Sequence, residues 1–221
     1  MPAESTQLRT ELAAVAARLI AEEGCDYRMA KRRALREVLG DGADARGALP
    51  DNAEIERELR RHLQLFEADT HPALLAELRQ IAASLMDRLS AFAPHLVGAV
   101  LNGTATVHSD IELHLFTDSA KDVEVFLINA GIPFDAEVGD ASERPAPLET
   151  LSFLAPTMSA RGASRTAARI GVRLHVYPHD AIRFAPRHRP QADAEFELHP
   201  VAGGGRANLA ALRKLIADTD G

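Results

Sequence analysis

The sequence predicts an α+β fold in which a helical N-terminal region, residues 1–93, precedes a domain of residues 94–221 built on a mixed or antiparallel sheet with flanking helices. Three observations support this prediction. Apolar residues recur at helical spacing through the first region, as in amphipathic helices. From Leu96 onward, apolar and polar residues alternate, which is typical of half-buried strands. Short helical segments separate the alternating runs, as in an α+β domain.

Four helices are expected in the N-terminal region. Helices commonly begin behind an Asp, Ser or Thr that caps their free amides, and end at glycine or before proline. Asp51 is followed three residues later by Glu54, which predicts a capping box. The expected caps are Asp26, Asp51 and Thr70, and the expected ends are Gly24, Gly40 and Pro94.

In the second region, two strands are expected on either side of a tight turn at Asn102-Gly103-Thr104. Alternation and turn residues then predict three more strands, with a helix before them and an amphipathic helix near the end of the chain. The expected strands are residues 96–101, 110–115, 133–138, 148–154 and 168–177, and the helices are residues 121–130 and 208–217.

Composition limits the class of protein. A chain of 221 residues can bury a sizeable core. A net charge of -7 argues against a protein that coats nucleic acid over its whole surface. The one cysteine, Cys25, excludes an internal disulfide and indicates a reducing compartment. No apolar stretch is long enough for a membrane span and no leader is visible, so we expect a cytoplasmic protein without a membrane partner.

Asp110, Glu112 and His114 share one face of the expected strand 110–115, because side chains alternate between the two faces of a strand. Neighbouring carboxylates repel unless a cation or a proton lies between them. Mg²⁺ is usually held by one or two carboxylates together with the phosphates of a substrate. The acid pair therefore predicts a site for a divalent metal, with Mg²⁺ as the expected ion and Mn²⁺ as the alternative.

The same stretch resembles the nucleotidyltransferase superfamily, whose fingerprint is an apolar strand, a glycine turn and a second strand with Asp-x-Asp or Asp-x-Glu. The matching residues are Gly103-Thr104 and Asp110-x-Glu112. The resemblance implies that a nucleoside triphosphate such as ATP binds with Mg²⁺ and that its nucleotidyl group passes to an RNA or protein acceptor. It assigns catalysis and metal binding to Asp110 and Glu112, and nucleotide binding to Gly103, Thr104, Ser109 and Arg173.

Two positions depart from the family pattern. The family usually has around ten residues, forming a short helix, between the glycine turn and the first acid, but six separate Gly103 from Asp110. The family also takes a third carboxylate from a later strand, whereas the outward positions of residues 172–177 hold no acid. Candidates elsewhere are Glu149, Glu195 and Glu197. The sequence therefore also supports a noncatalytic binding or regulatory module with the same fold.

Three other hypotheses stay open. His114 and His175 could join the two acids in a set for Zn²⁺ or Mn²⁺. Five cations on the expected second helix suit an RNA backbone, although a solvated helix face balanced by acids has the same pattern. These cations are Arg28, Lys31, Arg32, Arg33 and Arg36. Finally, the helical region could be the functional half, with the sheet as its support.

Overall fold

A computed structural model gives the fold and describes residues 2–41, 49–139, 145–157, 169–186, 190 and 198–219. These residues form eight α-helices and a mixed six-stranded sheet, and the helical region precedes the sheet. The α+β prediction is confirmed. Within these ranges, no helix combines the length and apolar character that a bilayer crossing requires.

Local capping signals set the helices of the N-terminal region. The carboxyl of Asp26 accepts a hydrogen bond of 2.7 Å from the backbone amide of Met29. Asp51 and Glu54 form the predicted capping box, with bonds of 2.7 and 2.8 Å. The four helices are α1 (Pro2–Glu23), α2 (Tyr27–Leu39), α3 (Asn52–Phe66) and α4 (His71–Arg88).

The sheet has the strand order β3-β4-β5-β2-β1-β6. Its strands are β1 (His95–Val97), β2 (Ile111–Phe116), β3 (Asp135–Val138), β4 (Glu149–Pro156), β5 (Arg169–Tyr177) and β6 (Ala207–Asn208). The other helices are α5 (Gly98–Asn102), α6 (Ala120–Asn129), α7 (Pro200–Gly203) and α8 (Leu209–Thr219). β2 and β5 pair in parallel, and the remaining neighbours pair antiparallel. One face of the sheet is apolar and buried.

The predicted strand 96–101 is wrong beyond Val97. β1 ends at Val97, and the next five residues form the short helix α5. Gly98 has φ 69°, a left-handed conformation that stops the strand and that glycine adopts without strain. A short apolar run is compatible with either a buried strand or a buried helix. The run therefore could not reveal this change of structure.

The chain forms two compact units. The first comprises Met1–Leu74 and Thr104–His108, and the second comprises Leu75–Gly103 and Ser109–Gly221. The predicted domain boundary at residue 93 stays a prediction. In the structure, residues 75–88 of α4 belong to the second unit, together with the sheet. The amphipathic period of α4 shows that one side is buried without showing which unit covers it.

Each unit buries a charged side chain of its own. In the first unit, Glu56 and Arg60 form an ion pair of 3.0 Å with side chains 1% and 9% exposed. In the second unit, the guanidinium of Arg79 donates to the carbonyls of Val100 and Leu101 at 3.2 and 3.3 Å. Those carbonyls belong to the last turn of α5, where a helix lacks internal donors. Arg79 therefore fixes the end of α5.

Candidate functional site

Three pairs of neighbouring side chains lie on β2 and β5, on the sheet face opposite the apolar one. The parallel register places Glu112 beside Arg173, His114 beside His175 and Phe116 beside Tyr177. We name these the charged rung, the imidazole rung and the aromatic rung. Because alternate residues of a strand share a face, all three rungs point to the same side of the sheet.

Asp110 lies just before β2 and joins the charged rung through an ion pair with Arg173, with 2.7 Å between Oδ2 and Nη2. Glu112 has no ion-pair partner among the residues that the structure describes. The guanidinium of Arg173 therefore pairs with Asp110, and the neighbouring carboxylate of Glu112 is left without a counter-charge. Asp110 and Glu112 lie on one side of the sheet, as alternation in the sequence predicted, and the pairing of β5 with β2 brings Arg173 beside them.

The predicted nucleotide-binding turn is not part of this group. Gly103 ends α5 with φ 85°, Thr104 is 1% exposed and belongs to the first unit, and Ser109 is half-buried. The glycine next to the charged rung is Gly98, where an added Cβ would lie 3.1 Å from Oε2 of Glu112. The spacing between Gly98 and Asp110 in the sequence is the signal that would have singled out this residue.

A third carboxylate does not join the acids within the described residues. Glu149 pairs in register with Val176, so it lies on the opposite face of the sheet, where its carboxylate is 3.6 Å from Nζ of Lys121. Glu195 and Glu197 lie outside the described residues. The resemblance calls for a third acid on a later strand, and the outward positions of the later strand β5 hold Arg173 and His175 instead.

The two histidines are neighbours without forming a metal cluster. The ring centroids of His114 and His175 are 5.7 Å apart, and Nδ1 of His175 lies 3.2 Å from Oγ1 of Thr150. Across the described part of the chain, no three His, Cys, Asp or Glu side chains are grouped as metal ligands. The predicted set of two acids and two histidines is therefore not assembled as a Zn²⁺ site.

Burial keeps His114 neutral. Loss of solvent lowers the pKa of His114 to about 3, with smaller contributions from His175, Arg206 and His95. Since the unfolded imidazole has its ordinary, higher pKa, it binds a proton before the folded one does. We expect the unfolding free energy to fall as the pH drops below about 6.5, by up to roughly 1.4 kcal/mol per pH unit from this residue.

Urea unfolding between pH 7 and pH 4 measures this effect. The unfolding free energy of His114→Gln should depend less steeply on pH than that of the wild type. The difference in slope should correspond to nearly one proton fewer taken up on unfolding. His179→Gln carries the same substitution at an exposed histidine and should keep the wild-type slope. Equal slopes for the wild type and both variants would contradict the buried, neutral state of His114.

A cavity of about 400 Å³ lies over the rungs, and one of about 660 Å³ lies beside it on the same face. Arg173 and His175 line both. The first cavity also contains side chains that the sequence did not single out. They are Asn102 of α5, Phe184, which follows a 3-10 helix (His179–Arg183), and Arg206, which precedes β6. These residues are distant in sequence, and no local pattern indicates that they converge.

Two of the five basic residues predicted on α2 pair with acids within the first unit. Arg33 pairs with Glu23 at 2.6 Å, and Arg36 pairs with Asp41 at 3.1 Å. Burial lowers the pKa of Lys31, although Asp51 and Glu54 partly offset this effect. Among the described residues, Arg28, Lys31 and Arg32 are the members of the predicted set that have no ion-pair partner, and Lys31 is half-buried. This is closer to a balanced helix face than to a continuous basic surface.

Comparison with known proteins gives no match to the chain, neither from protein families nor from curated proteins or solved structures.

Proposed function

We propose that the sheet-containing unit is a nucleotidyltransferase-like domain that binds a nucleoside triphosphate with Mg²⁺. It transfers the nucleotidyl group to a hydroxyl of an RNA or protein acceptor, which loses its proton while pyrophosphate leaves. The observation that carries the proposal is the charged rung with Asp110, where two carboxylates lie beside one guanidinium and only Asp110 pairs with it. Its uncompensated negative charge repels a free triphosphate. A divalent cation reverses this sign and makes the same side chains attractive to phosphate.

The donor atoms suit Mg²⁺. Carboxylate oxygens from one or two residues, completed by substrate phosphates, are its usual ligands, and Asp110 and Glu112 are the residues that would hold it. When bound, the ion would neutralise charge on the triphosphate. Arg173 is 52% exposed, and its planar group can form paired hydrogen bonds with phosphate oxygens.

The local backbone also supports the resemblance when Gly98, and not Gly103, is taken as the glycine of the family's turn. Residues 99–109 separate Gly98 from Asp110 and begin with the short helix α5. This agrees with the family spacing of around ten residues and a short helix. In the proposal Gly98, rather than Gly103, takes the place of the family's glycine turn.

A second candidate, a noncatalytic module that binds the nucleotide and regulates a partner, is favoured by Arg173. This arginine stands on β5, the strand paired in parallel with β2, where the resemblance calls for a third acid. A guanidinium cannot accept the proton of an attacking hydroxyl. The two candidates share the binding site and differ in turnover.

Calorimetric titration of the full chain with ATP, GTP, CTP and UTP tests the binding site. We expect at least one nucleotide to bind tenfold or more tightly with Mg²⁺ than with a chelator. Asp110→Asn and Glu112→Gln should weaken binding in Mg²⁺ because a metal ligand is lost. In the chelator, both should strengthen binding because a repulsive charge is removed. This reversal of sign is specific to a metal-bridging carboxylate.

Asp87→Asn is the matched control, because Asp87 forms a comparable ion pair of 2.9 Å with Arg213 but does not line either cavity over the sheet. It should leave both affinities unchanged. Absence of binding to all four nucleotides, or the same response to Asp110→Asn in Mg²⁺ and in the chelator, would overturn the proposal. Where binding is found, transfer of label from an α-labelled nucleotide to cellular RNA or protein separates the enzyme from the noncatalytic module.

We also propose RNA as a partner of the first unit, with fewer basic residues in contact than the sequence predicted. The contact would rest on Arg28, Lys31 and Arg32, since Arg33 and Arg36 already pair with acids. A cytoplasmic location is also proposed, because that compartment supplies nucleoside triphosphates and keeps Cys25 reduced.

A further inference from the structure

The side chains that line the cavity change from charged to aromatic along β2 and β5. Tyr177 lies four positions after Arg173, which corresponds to about 13 Å along a strand. The charged rung lies at one end, the imidazole rung in the middle and the aromatic rung at the other end. A ligand with phosphates at one end and a planar ring at the other is matched by this order.

The aromatic end is rigid. The rings of Phe116 and Tyr177 stack with centroids 5.9 Å apart, and both residues are almost fully buried. The guanidinium of Arg206 lies 5.1 Å from the Phe116 centroid. One of its nitrogens donates to the carbonyl of Ile182 at 2.7 Å. Arg206 is therefore held against the Phe116 ring, and its guanidinium already interacts with that ring and with a backbone carbonyl.

Phe184 differs from the other rings of this cluster because it is 58% exposed while lining the cavity. Its backbone amide donates to the carbonyl of Ala181 at 3.1 Å, and Ala181 packs against Phe116 and Tyr177. Phe184 therefore lies near the aromatic rung. It has no ring partner within the described residues. An exposed aromatic face beside a cavity is suited to stacking on a planar ring.

We propose that the base of the bound nucleotide stacks on Phe184 and Arg206 at the aromatic end, while its phosphates lie at the charged rung. This inference rests on the proposed function. Arg206 suits the base because guanidinium planes stack on nucleobases. The phosphates belong at the other end, where Arg173 is more exposed and Asp110 and Glu112 provide the carboxylates for the metal.

Comparison of a nucleotide with inorganic triphosphate tests the inference. In Mg²⁺, the preferred nucleotide should bind more tightly than triphosphate, and Phe184→Ala should weaken nucleotide binding by about five- to 150-fold, the range found for one base–aromatic stack. The same variant should leave triphosphate binding unchanged. Phe66→Ala is the matched control, because Phe66 is also exposed, at 73%, but belongs to the first unit.

The outcomes separate the inference from the proposed function. Equal affinity of nucleotide and triphosphate, with no effect of Phe184→Ala, overturns the base position and leaves the metal–phosphate site intact. Equal weakening of both ligands by Phe184→Ala also overturns it, because the side chain would then not act on the base. Failure of both ligands to bind the wild type removes the proposed function itself.

Discussion

Replacing Glu56 by alanine is expected to lower the unfolding free energy by about 3–5 kcal/mol, because it leaves a buried guanidinium without its counter-charge. Arg60 lies 3.0 Å from Glu56 and is 9% exposed. Its Nε atom has no hydrogen-bond partner in the described part of the chain. Urea unfolding followed by circular dichroism measures the loss.

Two comparisons isolate the contribution of the buried charge. Glu37→Ala removes a solvent-exposed pair with Arg18 and should cost less than about 1 kcal/mol. The double variant Glu56→Leu/Arg60→Met removes both charges, and we expect it to recover most of the lost stability. A loss for Glu56→Ala no larger than that for Glu37→Ala would contradict the burial of this pair.

Arg79→Ala is the second large effect, with an expected loss of about 2–4 kcal/mol in unfolding free energy. The substitution leaves a cavity and removes the donors to the carbonyls of Val100 and Leu101. Burial lowers the pKa of Arg79 to about 10, which reflects how little water reaches the group. Arg79→Lys keeps a charge but loses the fixed fork of donors, so its loss should be intermediate.

Arg88→Ala provides the control for Arg79, because Arg88 lies on the same helix and is exposed. It should change the unfolding free energy by no more than about 0.5 kcal/mol. Urea titrations of the three variants and the wild type decide the order. If Arg79→Ala and Arg88→Ala have the same effect, Arg79 does not secure the end of α5.

The elements that local chemistry specifies were predicted well. Asp26 and the Asp51–Glu54 box place their caps within a few residues of the helices they begin, so the sequence contains the whole signal. The alternation through β2 also placed Asp110 and Glu112 on one side without any knowledge of neighbours. The run after Leu96 failed because one backbone angle, at Gly98, changes a strand into a helix.

The composition of the candidate site depended on pairings that the sequence does not record. Arg173 could be placed beside Glu112 only after β5 was known to pair with β2 and in which register. Phe184 and Arg206 lie on segments without a repeating pattern, and they reach the cavity through the tertiary fold. Glu149 looked equivalent to the other acids in sequence, but its register with Val176 turns it to the opposite face.

The parallel pairing of β2 with β5 also bears on how the protein folds. Residues 112 and 173 are 61 positions apart, and joining such distant segments is slow because a long loop must close first. We therefore expect the cleft to form late in folding and to be absent from the denatured chain. A molecule captured there at 100 times its dissociation constant should add about 2.7 kcal/mol to native-state stability, so a thermal-shift screen can search for the ligand.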